Sequence, residues 1–194
     1  GKNLMGTVSN RGQIHRNLGD ATNEVAALNR YIQRLEARPK PGQEYVAAQF
    51  MLAQAMRAQG AEKLRSSDPA DVAAGNARIV EAATRYGQIV ALLKGGDLAR
   101  YESNAEEAAR NQSVREASLF GRAFCIAILT EPADKLPALK QQAITTYEEL
   151  LKQYPKTEFA PAALSQIGTL WITLGNNEKA DEALTRLNQQ HPES

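Results

Sequence analysis

The sequence has very few residues of the kinds that build disulfide or metal sites. A single cysteine, Cys125, excludes a disulfide within the chain and leaves the redox compartment undetermined. The two histidines, His15 and His191, lie far apart and have no cysteine or acidic neighbours at metal-ligand spacing. We therefore expect no metal site and no cofactor.

Aromatic residues, long apolar runs and an excess of one charge are also scarce. Aromatic residues make up 6% of the chain, while Ala, Leu, Gln, Glu and Arg dominate, which favours an all-helical protein. No apolar run reaches membrane-spanning length, and no signal peptide is visible. The formal charge of +1, from 23 basic and 22 acidic residues, argues against a general binder of polyanions.

Motifs of the common enzyme classes are missing as well. The patterns GxxxxGK[ST], HExxH, GxSxG and GxGxxG do not occur in the sequence. The glutamate pairs at 106–107 and 148–149 point to different faces of their helices, so we interpret them as solvated charge. Cys125 lies in the apolar run FCIAIL without a visible base, which favours a packed residue over a reactive thiol. We expect no enzymatic activity and no small-molecule substrate.

What the chain does contain is a repeated unit near its C-terminus. An apolar helix, Ala160 to Leu174, is closed by Gly175 and lies between two sets of residues that share one spacing. The first set, Ala143, Tyr147, Leu150 and Pro155, recurs at one fixed separation as Ala180, Leu184, Leu187 and Pro192. A fixed period with a proline at the end of each unit indicates a helical-repeat solenoid.

The last unit resembles the tetratricopeptide repeat, a helix–turn–helix family. The positions that match its pattern are Leu164, Ile167, Gly168, Trp171, Gly175, Ala180, Leu184, Leu187 and Pro192. Gly168 and Ala180 have little side chain, so two helices can approach closely, and Gly175 can adopt the left-handed conformation that ends a helix. The resemblance implies an all-α, right-handed solenoid in one domain. We expect four antiparallel helix pairs, at about 3–39, 43–94, 112–155 and 158–192.

The middle of the chain fits this pattern less regularly. Gly60 occupies the place of the turn glycine Gly175, and an insertion then extends the helices around a loop at 66–69. Asp68 or Ser67 is expected to cap the next helix. Residues 98–111 are expected to form either a short linking helix or a mobile segment before a strong helix at 114–129. We interpret Trp171 and Phe124 as core residues.

In the family, the first helix of each pair lines a concave groove that receives peptides. The resemblance places in this groove Ser9, Gln13, Arg16, Asn17, Phe50, Gln54, Arg57, Arg115, Ser118, Arg122, Cys125, Ser165, Thr169 and Thr173. This set contains arginines and hydrogen-bonding groups and no carboxylate. We hypothesise that the groove binds an acidic segment or a C-terminal carboxylate, because arginine holds carboxylates through paired hydrogen bonds. A polar face that is empty, or filled by the protein's own loop, is the alternative.

A short basic stripe is the main feature that points to nucleic acid. Arg30, Arg34 and Arg38 share one helix face, but Glu36 and Glu44 are interspersed and aromatic residues are almost absent. We interpret the stripe as a solvated face, so nucleic-acid binding is not expected.

These observations predict a non-catalytic scaffold or adaptor that binds a protein or peptide. The Tyr154-Pro155 pair and the alanine-rich helix start after it resemble repeats of bacterial periplasmic scaffolds, which favours the periplasm or cell envelope over the cytoplasm. The start at GKNLMGTVSN, without an initiator methionine, suggests a fragment of a longer protein. Three alternatives stay open: an accessory domain of a larger enzyme, an RNA-binding helical repeat, and self-association through an exposed apolar end.

Overall fold

A computed structural model of the chain describes residues 21–95 and 98–192, with side chains described from residue 23 onward. Within these ranges the backbone forms helices and turns but no strand. The α-helices are α1 (Ala21–Glu36), α2 (Gly42–Lys63), α3 (Pro69–Leu92), α4 (Ala105–Ile128), α5 (Leu136–Gln153), α6 (Ala160–Thr173) and α7 (Asn177–Gln190). Short 3-10 turns lie at Leu98–Arg100 and Ala133–Lys135. The predicted all-α fold of adjacent packed helices is confirmed.

The helices divide into two compact units whose boundary lies inside α4, between Arg115 and Glu116. In the first unit α1 packs on α2, and α2 packs on α3. In the second, α5 packs on α6, and α6 packs on α7. The helix expected at 3–18 lies outside the described residues.

The core of the first unit comes from apolar residues at helical spacing. Leu28 and Leu35 of α1, Leu52 of α2, and Ile79 and Tyr86 of α3 are each almost completely buried. Residues three, four or seven positions apart lie on one side of a helix, so each helix presents a continuous apolar stripe to its neighbour. Burial of these stripes is the main force that holds the helices together.

The turn between α2 and α3 is fixed by polar side chains. Asp68 precedes α3, and its carboxylate accepts a hydrogen bond from the Ala70 amide at 2.8 Å. Pro69 starts the helix, where a missing amide hydrogen has no cost. Lys63 at the end of α2 reaches Asp71 in the first turn of α3 at 2.7 Å. The predicted loop and the predicted Asp68 cap are therefore confirmed.

Gly60 does not end its helix, in agreement with the prediction that the insertion after it extends both helices. It lies inside α2, which continues to Lys63. A Cβ added to Gly60 would lie 2.8 Å from the side chain of Ile79 and 3.0 Å from the carbonyl oxygen of Gly75. Gly60 is therefore a contact point at which two long helices approach closely.

The helix expected to begin near residue 114 begins at Ala105 instead. The Asn104 side chain accepts a hydrogen bond from the Glu107 amide at 2.9 Å, and the Ser103 amide donates to the Glu107 carboxylate at 2.6 Å. The first bond satisfies an amide that a helix start leaves without a partner, and the second ties the residue before the cap to the first turn. The polar segment expected as a separate link is thus the capped first half of α4.

The core of the second unit follows the same apolar spacing. Leu119 of α4, Tyr147 and Leu150 of α5, and Leu164 and Ile167 of α6 are each almost completely buried. At the other end of α4, the Lys140 ammonium of α5 donates to the Ala127 carbonyl at 2.5 Å. Burial lowers the pKa of Lys140 below its ordinary value.

The last helix pair forms as predicted around its small residues. A Cβ added to Gly168 would lie 3.1 Å from the Leu184 side chain, so α6 and α7 approach closely there. Gly175 has φ of 75° and ends α6 in the left-handed conformation. Trp171 departs from its expected place in the core, because it is only half-buried and its ring lies 4.4 Å from the Lys179 ammonium.

Candidate interaction surfaces

The first candidate face lies on α2. Phe50, Gln54 and Arg57 are four and three residues apart, so they share one side of the helix, and all three are half-exposed. The ring of Phe50 packs edge-on against Tyr86 with a centroid distance of 5.8 Å. This contact holds the Phe50 ring at one edge of the face. The Gln54 side-chain amide offers both a hydrogen-bond donor and an acceptor.

The candidate residues of α4 divide between surface and core. Arg115 and Arg122 are half-buried, whereas Ser118 and Cys125 are completely buried. Ser118 and Cys125 therefore present no surface to a partner. Leu119, one residue after Ser118, is also fully buried, because this part of α4 packs into the core on more than one side.

A cluster of phenylalanines in the second unit was not identified from the sequence. The ring centroid of Phe120 lies 5.1 Å from Phe159, 5.4 Å from Tyr147 and 6.5 Å from Phe124. The three phenylalanines are half-exposed, so Phe124 also departs from its expected place in the core. Phe120 and Phe124 are four residues apart, the spacing of one helix face, and that spacing was the available signal.

The candidate face on α6 is the most open of those described. Thr169 and Thr173 are exposed and Ser165 is half-exposed. The two threonine hydroxyls donate to the carbonyls of Ser165 and Thr169 at 3.0 and 2.9 Å, which leaves their lone pairs as acceptors. Ile172 lies on the same face, three residues after Thr169, and is 57% exposed. An exposed isoleucine among hydroxyl groups is an apolar contact point with a polar surround.

Several candidates cannot be placed together. Ser9, Gln13, Arg16 and Asn17 lie outside the described residues. Phe50, Gln54, Arg57 and Arg115 belong to the first unit, and the remaining candidates belong to the second. A single groove formed by the candidate residues of both units stays a prediction.

Metal binding, membrane insertion and nucleic-acid binding would each need features of their own. The described residues contain no group of three or more His, Cys, Asp or Glu side chains placed to hold a metal ion. None of the described helices has the length and apolar character needed to cross a bilayer. Arg30 and Arg34 of the basic stripe are exposed on α1, whereas Arg38 lies beyond the end of the helix and pairs with Glu44 at 3.0 Å.

Comparison with known proteins places one family in the second unit. The model of the tetratricopeptide repeat matches residues 138–157 and 162–194, which contain most of α5 and α6 and all of α7. The match covers less than half of the chain and supports the tetratricopeptide family. Such repeats are generally protein–protein interaction modules and are typically non-catalytic. No curated protein matches the chain.

Proposed function

We propose that this chain is a non-catalytic interaction module that binds a protein or peptide on the exposed face of α6. The observation that carries the proposal is the α6 face, where Ile172 is exposed between Thr169 and Thr173 within the segment similar to a tetratricopeptide repeat. Burial of the exposed isoleucine against a partner removes apolar surface from water, and this lowers the free energy of the complex. The helices are already formed, so binding there costs little ordering entropy.

Substitution of the exposed isoleucine tests this proposal. Ile172→Asp places a charge where a partner would bury an apolar group, so proteins captured from an extract of the source organism should be lost. Val80→Asp is the matched control, because Val80 is 50% exposed and lies on α3 in the other unit. A protein retained by the wild type and by Val80→Asp, but not by Ile172→Asp, supports the α6 face. Equal retention by all three proteins contradicts it.

The preferred partner is an acidic segment or a C-terminal carboxylate. The candidates that remain at the surface include Arg57, Arg115 and Arg122, and none of the candidates is a carboxylate. A guanidinium forms paired charge-assisted hydrogen bonds with a carboxylate, which gives both attraction and orientation.

Added negative charge at the candidate positions tests the preference. Gln54→Glu combined with Arg122→Glu should weaken binding of an acidic partner, and the weakening should diminish as salt screens the charges. Arg65→Glu combined with Gln189→Glu, two exposed changes on the turn after α2 and on α7, is the charge-matched control. A captured partner whose affinity is the same for both variants is not recognised through this charge.

The setting we propose is a bacterial cell-envelope assembly. Its support is the resemblance of Tyr154-Pro155 and the alanine-rich start of α6 to repeats of periplasmic scaffolds. Fractionation of the source organism tests it, since the protein should be recovered with the envelope or periplasm. Recovery only with cytoplasmic proteins would contradict this part of the proposal.

A further inference from the structure

A pocket of about 300 Å³ lies in the first unit, between the end of α1 and the facing sides of α2 and α3. Its polar wall is formed by Glu36, Tyr45, Gln49 and Arg85. Ile89 and Leu92 of α3 supply an apolar wall. The volume is at the lower end of the range of about 300–1,000 Å³ that small-molecule sites occupy. The pocket is partly open to solvent, and a concave space with an apolar wall and a few convergent polar groups is the usual form of such a site.

Two opposite charges line this pocket without pairing with each other. The Tyr45 hydroxyl donates to Glu36 Oε1 at 3.0 Å, and Arg85 Nη1 donates to Gln49 Oε1. Among the described residues, neither Glu36 nor Arg85 has an ion-pair partner of opposite charge. The neutral groups of Tyr45 and Gln49 therefore hold a carboxylate and a guanidinium apart in one pocket, with charge of each sign available to a ligand.

The groups between the two charges are held in place. Tyr45 stacks on Tyr101 with a centroid distance of 6.0 Å, and Gln49 is 9% exposed. Burial, and then the hydrogen bond to Glu36, raise the pKa of the Tyr45 hydroxyl above its ordinary value, so it remains a protonated donor near neutral pH. A polar wall that is fixed before a ligand arrives lowers the entropy cost of binding.

We propose that this pocket binds a small aliphatic zwitterion of the α-amino acid class. The ligand carboxylate accepts hydrogen bonds from the guanidinium donors of Arg85 that Gln49 does not use. The ligand ammonium pairs with Glu36, whose second oxygen is not engaged by Tyr45. The aliphatic side chain of the ligand packs against Ile89 and Leu92. This inference is independent of the proposed partner faces, because the pocket uses other residues.

Calorimetric titration of the full chain with L-leucine tests the proposal. Two probes of similar shape separate the charges: 4-methylpentanoate lacks the ammonium group, and 3-methylbutylamine lacks the carboxylate. We expect saturable binding of leucine and binding of each single-charge probe weaker by at least about tenfold, the loss that one charge-assisted hydrogen bond represents. Absence of saturable leucine binding overturns the proposal. Equal affinity for 4-methylpentanoate overturns the assignment of a zwitterion.

Variants of the two charged residues locate the site. Arg85→Gln and Glu36→Gln should each weaken leucine binding by at least about tenfold. Arg65→Gln, which removes an exposed arginine outside the pocket, should leave it unchanged. Thermal unfolding shows whether Arg85→Gln disturbs the fold. Glu36 is exposed, so Glu36→Gln should leave the fold intact and tests the site independently. Leucine affinity that is the same in the wild type and in Glu36→Gln overturns the assignment.

Discussion

Gly60 and Gly75 face each other where α2 packs against α3, and a Cβ added to either would lie 3.0 Å from the other's carbonyl oxygen. Real Cβ atoms rarely approach that closely, and backbone atoms in the middle of a helix cannot move aside easily. The pair is therefore the point that sets the distance between the two longest neighbouring helices of the first unit.

Alanine at either position should destabilise the protein. Overpacking of this kind typically costs about 1–3 kcal/mol of folding free energy. Replacing glycine by alanine in a helix interior gains about 1 kcal/mol. The cost therefore exceeds the gain over most of its range. The cost should be clearest for Gly60→Ala, because Ile79 lies 2.8 Å from the added atom and is fully buried. Urea denaturation followed by circular dichroism measures the free energy of unfolding.

Gly95→Ala is the matched control for this pair. The nearest atoms to a Cβ at Gly95 are 3.7 Å away, which is ordinary contact. We expect its free energy of unfolding to differ from the wild type by less than about 0.5 kcal/mol. Unchanged or increased stability of Gly60→Ala would mean that the helices are not held at this distance.

The cap of α4 predicts a second stability effect. Asn104→Ala removes the side chain that accepts from the Glu107 amide, and loss of such a cap typically costs about 1 kcal/mol. Asn177→Ala, an exposed change at the start of α7, is the control. The measurements are helicity by circular dichroism and the urea midpoint. If Asn104→Ala matches the control in both, α4 does not depend on this cap.

The contact of Gly60 with Gly75 and the cap of α4 show how far the sequence determines the fold. The spacing of apolar residues predicts the all-α fold, and Asp68 and Gly175 predict a helix start and a helix end. These are local signals, which act within one turn of the chain. Gly60 holds the repeat position of Gly175 but does not end its helix, because α2 and α3 have 22 and 24 residues, whereas α6 and α7 have 14 each. In the longer pair a glycine at the same repeat position lies inside the helix rather than at its end.

The candidate surfaces depend on which sides of each helix are covered, and one sequence does not determine this. Thr169 and Thr173 are exposed as a groove face requires, but Ser118 is buried although it was assigned in the same way. The cause is that α4 packs into the core over a wider part of its circumference. The pocket at Arg85 joins three helices, so no spacing along the chain indicates it.

The turn between α2 and α3 predicts a pH effect. Hydrogen bonding and charge from Lys63, followed by a hydrogen bond from Ser66, hold the pKa of Asp71 below its ordinary value of 3.8. A carboxyl whose pKa is lowered in the folded state stabilises that state above its unfolded pKa. This contribution is lost as the pH falls through the folded pKa, so the effect lies in the acid range below about 4.

Carboxyl-carbon NMR titration of Asp71 measures this effect. Lys63→Met should raise the pKa of Asp71 toward 3.8, because it removes the largest cause of the lowering. Lys152→Met, an exposed change on α5, should leave the pKa unchanged. An Asp71 pKa that is the same in the wild type and in Lys63→Met would show that the ion pair does not persist in solution.

The central claim, that a partner docks on the α6 face, is tested most directly by site-specific photo-cross-linking. A photo-reactive phenylalanine analogue is introduced at Thr169 on that face or at Glu182, an exposed position on α7 in the same unit. Both proteins are exposed to extract of the source organism, irradiated and examined for covalent adducts by mass spectrometry. We expect a partner protein cross-linked from position 169 and not from position 182. The same adducts from both positions, or adducts from position 182 alone, would contradict the account.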